Sequence, residues 1–267
     1  MKKLLACMAV CMLILTAGMF SGCNKLPWPG GGGGLPHHLR QVKKVTIGEV
    51  VRSYTYDTQG RVKTIRKTDG THSVAFSVAY GPLNRVDSLV ITEPAGEPFV
   101  IRYEYDSIGY KRMVVADHEY DIEEQRPPFP FNVTPVPQRM YTITGNPYFC
   151  LYINAGQNVT RALAKIEGLS HIWDATYTYS AFNNPEYETD KALHIQEINF
   201  ALNYFGFNLS IMDVNSPQLP ATMQLKTLGG PATSYSLAYE TDALKRVTAV
   251  YITDGGKKTL NRTYEYY

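Results

Sequence analysis

The sequence lacks the motifs that mark the common enzyme classes. It contains no Gly-x-Ser-x-Gly, no His-Glu-x-x-His and no phosphate-binding glycine loop between a strand and a helix. The five consecutive glycines at 30–34 follow a proline and belong to a polar, proline-containing stretch, so they are typical of a linker. From these absences we expect no enzyme, no catalytic residue and no bound cofactor.

Cysteine is scarce, and the position of one cysteine is informative. Lysines at the start of the chain precede an apolar run at 4–20, which ends in Ser21-Gly22-Cys23. A basic start, a short apolar run and small residues before a cysteine are typical of a lipoprotein signal peptide. We therefore expect residues 1–22 to be removed and Cys23 to carry lipid. The alternative is a single membrane-anchoring helix, for which the run is short.

The remaining cysteines cannot form a disulfide within the mature chain. Cys7 and Cys11 lie in the predicted signal peptide, which leaves Cys150 as the one unmodified thiol. Cys150 lies in the apolar stretch "YFCLYI", where a buried structural thiol is expected.

The chain also lacks an excess of positive charge. Its formal net charge is +2, and loss of the two lysines with residues 1–22 would bring it to zero. A nucleic-acid partner requires a basic surface, so none is expected. Residues 23–41 are predicted to be a flexible Pro/Gly tether, and residues 42–267 the folded domain.

What the chain has in quantity is tyrosine, 20 residues against 10 phenylalanines. The stretch "SYTYDTQGRVKTI" shows the pattern: Tyr54 and Tyr56 share one face of a strand, Asp57 opens a turn, and Gly60 closes it. Val62 and Ile65 differ in parity, which predicts a bulge or apolar contacts on both faces. Related stretches recur about every 25 residues, which corresponds to one β-hairpin per repeat.

The best-conforming unit, from Tyr54 to Val62, resembles the YD (Rhs-type) repeat, whose pattern is Tyr-x-Tyr-Asp-x-x-Gly-Arg-Val. A second copy at Tyr103, Tyr105, Asp106 and Gly109 would place Arg112 where the first has Arg61. The layout resembles Bacteroidetes-type lipoproteins of unknown function with degenerate YD-like hairpins. That resemblance implies an extended antiparallel sheet and no activity.

The fold class predicted is all-β with minor α, an extended antiparallel sheet of tandem hairpins that is curved or two-layered. An open sheet must protect its ends, so the charged first strand and the tyrosine-rich last strand are expected to be caps. Residues 126–138 are proline-rich and interrupt the repeats. Residues 139–156 read as a hairpin and 158–169 as a helix. The apolar residues 198–211 read as a buried strand pair or as a lid.

Metal-site candidates are weak. The acidic stretch "DHEYDIEE" supplies oxygen ligands, but a solvated strand end is the better interpretation. The histidines His37, His38, His72, His171 and His194 show no ligand spacing. The possible ligands in the acidic stretch are Asp117, His118, Glu119, Asp121, Glu123 and Glu124. No metal is expected.

The repeated side chains permit two interpretations. Asp57, Asp106 and Asp242 recur at turn starts, which favours a structural role. The tyrosines could form a core-facing stripe, which we favour, or an exposed ladder that stacks on sugar rings. The possible ligand surface consists of Tyr54, Tyr56, Tyr103, Tyr105, Tyr177 and Tyr179.

The sequence therefore predicts a lipid-anchored protein of the cell envelope, in the outer membrane on an undetermined face, with a binding or scaffolding role. Alternatives are a glycan-binding accessory lipoprotein of a nutrient-uptake system and a periplasmic carrier of lipid or lipoprotein. Its partners would be the membrane, through the lipid anchor, and a polysaccharide or an envelope protein.

Overall fold

The computed structural model describes residues 40–106, 110–115, 118–125, 139–143, 148–165, 171–193 and 216–267. These residues form sixteen strands and one α-helix, α1, at Tyr187–Ala192. The strands are β1 Val42–Ile47, β2 Val50–Tyr56, β3 Val62–Asp69, β4 His72–Tyr80, β5 Val86–Thr92, β6 Phe99–Tyr105, β7 Tyr110–Val115, β8 His118–Gln125, β9 Arg139–Ile143, β10 Tyr148–Ile153, β11 Val159–Lys165, β12 His171–Asn183, β13 Gln218–Thr227, β14 Ala232–Thr241, β15 Val247–Asp254 and β16 Lys257–Tyr266. The all-β, antiparallel prediction is confirmed.

Each strand pairs antiparallel with the strands before and after it, and the sheet closes into a barrel. Closure is made by β1 and β16, with Val45 opposite Tyr264 and Lys44 opposite Glu265. The two end strands were expected to cap an open sheet; instead they pair with each other, which satisfies both edges with backbone hydrogen bonds. No helix in the described part of the chain has the length and hydrophobicity to cross a bilayer.

Outside β10 and β11, the described strands mostly alternate between an apolar inner face and a polar outer face. Inward-facing residues such as Val45, Leu89 and Met113 are fully buried in the main core. Residues of β8 and β10–β13 form a second core around Ala175. On the outer face lie exposed charged residues, including Lys63, Arg66, Arg102, Glu104 and Glu240. The wall of the barrel is therefore suited to water outside and to apolar packing inside.

The parity change between Val62 and Ile65 results from a β-bulge. The register of β2 and β3 shifts between the pairs Thr55–Thr64 and Tyr56–Val62, so Lys63 is an extra residue. Val62 and Ile65 are thereby both buried in the main core. Similar shifts occur where β4 meets β5 and where β6 meets β7.

The prediction of a helix at 158–169 is wrong, because Val159–Lys165 is strand β11. Its apolar residues matched one helical face, but in the strand they are buried on both faces: Ala162 and Ala164 join the second core, and Leu163 is buried on the other side. Arg161 pairs with Asp174 of β12 across the outer face. Burial on both faces removes the alternation by which a strand is recognised.

The predicted hairpin at 139–156 is confirmed in its strands, since β9 pairs with β10. Several stretches that the sequence singled out lie outside the described residues. These are the signal peptide and tether up to residue 39, the proline-rich 126–138 and the apolar 198–211.

Candidate functional site

The even-numbered strands all finish at one end of the barrel, which we call the tyrosine end. The loops described in full at this end are 57–61, 81–85, 154–158 and 242–246, and an insertion at 184–217 joins β12 to β13. Of the insertion, the structure describes residues 184–193 and 216–217. The side chains of the repeated motif meet at this end.

Asp57 organises its loop, as the sequence predicted. Its Oδ1 accepts hydrogen bonds from the backbone N–H groups of Gln59 and Arg61, each at 2.9 Å. Its Oδ2 accepts from Nε of Arg61 at 2.8 Å, and Gly60 adopts φ 77° to close the turn. Partial burial would raise the pKa of Asp57, but these hydrogen bonds outweigh it and lower that pKa. Asp57 is therefore a structural acid.

The same geometry recurs around Asp242. Its Oδ1 accepts from the N–H groups of Leu244 and Arg246, and its Oδ2 from Nε of Arg246 at 2.7 Å. Asp106, the third repeated acid, lies exposed at the end of β6. The recurrence supports a structural role for the loop aspartates.

The arginine at the end of each of three loops stacks on the tyrosine of the next repeat. The guanidinium carbon of Arg61 lies 4.2 Å from the ring centroid of Tyr80, and that of Arg246 lies 4.4 Å from Tyr266. Arg85 lies 5.2 Å from the ring of Tyr105. Each stack is a cation–π contact that links one hairpin to the following one. Arg112 does not share this role, since it pairs with Asp121 and other outer-face acids.

The hydroxyls of the same tyrosines fasten neighbouring strands. Tyr56 donates to the carbonyl of Val42, Tyr80 to that of Val62, and Tyr266 to that of Val247, at 2.7–2.8 Å. In each case the tyrosine ends its strand and the acceptor begins the strand before it. Tyr179 and Tyr239 donate to the carbonyls of Val159 and Pro220.

The insertion packs into the barrel through α1. Tyr187 is buried, and Leu193 lies fully buried in the main core, where its carbonyl accepts from the hydroxyl of Tyr103. Asn184 joins the two ends of the insertion, because its N–H and its side-chain amide donate to the carbonyls of Pro217 and Ser216.

Glu186 precedes α1 and is held by the barrel wall. Its side chain is 3% exposed and accepts from the hydroxyl of Tyr54 at 2.6 Å and from Arg52 at 3.3 Å. The guanidinium of Arg262 in β16 lies 3.6 Å from Oε2 of Glu186, the oxygen that also accepts from Arg52. Two arginines and one hydroxyl make an arrangement that holds a carboxylate, and the chain's own Glu186 occupies it.

Burial keeps the inner tyrosines protonated. It raises the pKa of Tyr54 well above its ordinary value; Arg52 opposes this effect and the negative charge of Glu186 adds to it. Burial also raises the pKa of Tyr179, Tyr239 and Tyr266. These hydroxyls are therefore hydrogen-bond donors at neutral pH and not nucleophiles.

The six tyrosines proposed as a ligand surface face the interior. Tyr54, Tyr103 and Tyr177 are buried, and the other three, Tyr56, Tyr105 and Tyr179, are half-buried against the cores. Their placement agrees with the interpretation as a core-facing stripe, and these six side chains form no exposed ladder.

The metal candidates do not converge within the described residues. Glu119 and Asp121 pair with Arg112 on the outer face, and His72 begins β4. No group of three or more potential ligands is found in the described part of the chain. Cys150 is buried in β10, as expected. Outside the described backbone or side chains lie Cys23, His37, His38, Asp117, His118, Glu123, Glu124, His171 and His194.

Sequence reasoning missed Glu186 and its two arginines. One signal was available for the arginines: Arg52-x-Tyr54-x-Tyr56 and Arg262-x-Tyr264-x-Tyr266 place each arginine on the tyrosine face of its strand. A charge repeated on an inward face predicts a buried partner.

No family model and no curated protein matches this chain. Among solved structures, a porin-like protein from Bacteroides vulgatus ATCC 8482 has a TM-score of 0.48 and 13% identity, over 85% of this chain and 99% of that one. A porin-like protein from Bacteroides uniformis ATCC 8492 has a TM-score of 0.45 and 13% identity, over 85% of this chain and 96% of that one. At these values neither likeness carries an argument about function.

Proposed function

We propose that this chain is a lipid-anchored, non-catalytic binding or scaffolding module of the cell envelope, held at the outer membrane through Cys23. The observation that carries the proposal is the leader, in which an apolar run ends in Ser21-Gly22-Cys23 and a Pro/Gly stretch follows. The barrel would be the folded part that this anchor holds at the membrane.

The state of the ionisable side chains supports a non-catalytic role. Asp57 and Asp242 are each engaged by their own loop and arginine, and Glu186 is bound by Arg52 and Tyr54. A general acid or base needs access to substrate, and these groups are committed to loops and to the insertion.

The contacts of the repeat also support the YD-like resemblance as a structural one. Aspartate clamps the arginine, and the arginine stacks on the next tyrosine. The motif residues thus have a role in joining hairpins that requires no ligand.

A carrier of lipid or lipoprotein is the second candidate, and the apolar inner face favours it. Leu193 from the insertion packs among wall residues such as Leu89 and Ile101, so the insertion covers apolar surface that a ligand could also cover. Native mass spectrometry of the purified full chain would test this candidate by showing whether lipid copurifies. The inward direction of the six tyrosines gives the glycan-binding alternative no support.

The anchor is tested by expressing the full chain in a diderm bacterium as wild type, as Cys23→Ser and as Cys11→Ser. We expect an acylated N-terminal peptide beginning at residue 23 in the wild type and in Cys11→Ser, with both in the membrane fraction. Cys23→Ser should keep its leader or remain without lipid. A wild-type chain that reaches the envelope with an unmodified Cys23 would refute the proposal.

A further inference from the structure

The folded domain is joined to the predicted anchor at the tyrosine end. Gln41 immediately precedes β1, and its side-chain amide donates to the carbonyl of Gly60 in loop 57–61. Its carbonyl accepts from the N–H of Tyr267, the last residue. Sixteen residues, 24–39, separate Cys23 from residue 40. The sequence predicts a Pro/Gly tether here, and a flexible tether of that length would have a typical end-to-end distance of roughly 20–25 Å, which would keep the tyrosine end near the membrane.

The tyrosine end carries exposed apolar side chains, which we call the apolar rim: Leu83, Phe182, Leu244 and Tyr267. Leu83 is 83% exposed and Leu244 is 45% exposed. Both occupy the same position of the repeated loop, two residues before the arginine that stacks on the next tyrosine. Phe182 lies at the end of β12, next to the ring of Tyr239.

Leu83 is held outward by the backbone. Its φ is 61°, in the left-handed region that residues other than glycine rarely adopt, and Asn84 beside it has φ 59°. Arg61 donates to the side-chain carbonyl of Asn84 at 2.8 Å, which ties this loop to its neighbour. An apolar side chain in a costly conformation, facing away from the core, indicates a contact outside the barrel.

The opposite end of the barrel has a different character. At this end, which we call the acidic end, the turns contain or adjoin Glu49, Asp69, Glu93, Glu97 and Asp254, with Lys257 and Lys258 following the turn after Asp254. At the tyrosine end, the loop acids Asp57 and Asp242 are each paired with an arginine of their own loop, and Asp106 is exposed. Loops 57–61, 81–85 and 242–246 carry no net negative charge, whereas turn 93–98 carries two glutamates and no basic residue, so an anionic membrane surface repels these loops less than that turn.

We propose that the apolar rim rests directly on the lipid bilayer, inserting Leu83 and Leu244 among the head groups while the charged wall stays in water. This inference rests on the proposed lipid anchor and adds a protein–lipid contact that fixes orientation. Aromatic and leucine side chains at the level of the head groups are favourable in such a contact. The anchor and the rim act at the same end, so each raises the effective concentration of the other at the surface.

The test places an environment-sensitive nitrobenzoxadiazole label on the full chain, at Leu83→Cys, Leu244→Cys or Leu228→Cys. Leu228 is 54% exposed but lies at the acidic end, which makes it the matched control. Cys150 is buried and Cys23 would be blocked by lipid, so the introduced thiol is the one that reacts. The labelled chains are reconstituted in vesicles of phosphatidylethanolamine and phosphatidylglycerol that contain doxyl-labelled lipid.

We expect the labels at 83 and 244 to lose most of their fluorescence to the doxyl lipid and the label at 228 to keep it. Two results would refute insertion of the apolar rim without affecting the proposed lipid anchor. One is equal quenching at all three sites, and the other is no quenching at 83 and 244 in a chain whose mass shows the lipid. Loss of quenching at 83 and 244 when an envelope extract is added would assign the rim to a protein partner instead.

The Cys23→Ser chain separates the two proposals. If the mass of the wild type shows no lipid, the anchor fails, and the rim is then judged on Cys23→Ser with added vesicles. Binding that falls on changing Leu83 and Leu244 to glutamate, but not on changing Leu228 to glutamate, would support the rim without the anchor. No vesicle binding by the unlipidated chain would refute both in that case.

Discussion

At the scale of single residues, the repeated motif is a joint between successive hairpins. Aspartate is short enough for its carboxylate to reach the backbone N–H groups two and four residues later, as Asp242 does with Leu244 and Arg246. The remaining oxygen fixes the guanidinium of Arg246, which lies over the ring of Tyr266. The tyrosine hydroxyl then reaches the carbonyl of Val247 at the start of β15. One aspartate thus orders a loop, a stack and a strand contact.

Changing Asp242 should therefore lower stability in two steps. Asp242→Asn keeps the oxygen that accepts from the backbone but loses the ion pair with Arg246, and Asp242→Ala loses both. We expect losses of about 1 kcal/mol for Asn and about 2 kcal/mol for Ala, by analogy with charge-assisted hydrogen bonds and loop caps. Urea unfolding at pH 7 measures both, with the exposed Asp254→Asn as control. Equal urea midpoints for Asp242→Ala and Asp254→Asn would contradict the proposed role of Asp242 in joining successive hairpins.

The stability difference between the wild type and Asp242→Asn should depend on pH. Partial burial opposes the shift, but the hydrogen bonds from Arg246 lower the pKa of Asp242 below its ordinary value. Its contribution to stability is therefore present above the unfolded pKa of about 3.9 and is lost as the pH falls through the folded pKa. The stability difference between wild type and Asp242→Asn should be full at pH 7 and shrink below about pH 4.

At the scale of elements, hairpins with a one-residue bulge could be predicted, and other elements could not. The Tyr-x-Tyr parity, Asp57 and Gly60 together predict strand, turn and return strand. The parity change at Ile65 allowed a bulge or apolar contacts on both faces, and the structure has the bulge. Strand β11 was mistaken for a helix because burial of Leu163 opposite Ala162 hides the alternation. Local sequence carries no information about which face a distant strand will cover.

The site was only partly predictable for a related reason. Structural roles for Asp57 and Asp242 followed from their place at turn starts. Glu186 was missed because its partners, Arg52 and Arg262, are more than 75 residues away along the chain. Such a contact depends on closure of the barrel, and closure cannot be predicted from a local sequence pattern.

One buried carboxylate adds to the contacts that hold the insertion, so Glu186→Gln should loosen it. The amide keeps the size of the side chain but leaves Arg52 and Arg262 without the charge that offsets their burial. Removing one member of a buried ion pair costs about 3–5 kcal/mol. Hydrogen exchange of residues 186–193 in the full chain should accelerate, while the exposed Glu188→Gln of the same helix leaves it unchanged. Unaltered exchange in Glu186→Gln would show that apolar packing of α1 alone holds the insertion.

At the scale of the whole molecule, the ends of the repeat array meet. A row of tandem hairpins has two unpaired edges, and here β1 and β16 satisfy one another. Tyr267 adds a second tie, because its hydroxyl donates to the carbonyl of Tyr54 at 2.8 Å and its ring meets Tyr56 edge-on at 5.9 Å. Closure also brings Arg262 of the last strand and Arg52 of the second to the same carboxylate. The position of the insertion thus follows from closure.

Closure can be tested with a disulfide between Lys44→Cys and Glu265→Cys. These residues are opposite each other across β1 and β16, and the Lys44 ammonium contacts the Glu265 carboxylate at 2.8 Å on the outer face. Directly opposed strand residues lie within the Cα separation that a disulfide needs. The matched control is Thr55→Cys with Thr64→Cys, an exposed opposed pair within one hairpin.

Both disulfides should form in air, and their effects should differ in size. In the chain-entropy model, a crosslink that closes a loop of more than 200 residues raises the free energy of unfolding by about 5 kcal/mol, against about 3 kcal/mol for a hairpin of ten residues. Denaturation of the oxidised and reduced forms measures each gain. In an open sheet the two end strands would be far apart, the 44–265 disulfide would not form, and the hairpin disulfide would form as before. The contrast between the two pairs therefore separates a closed barrel from an open array of the same hairpins.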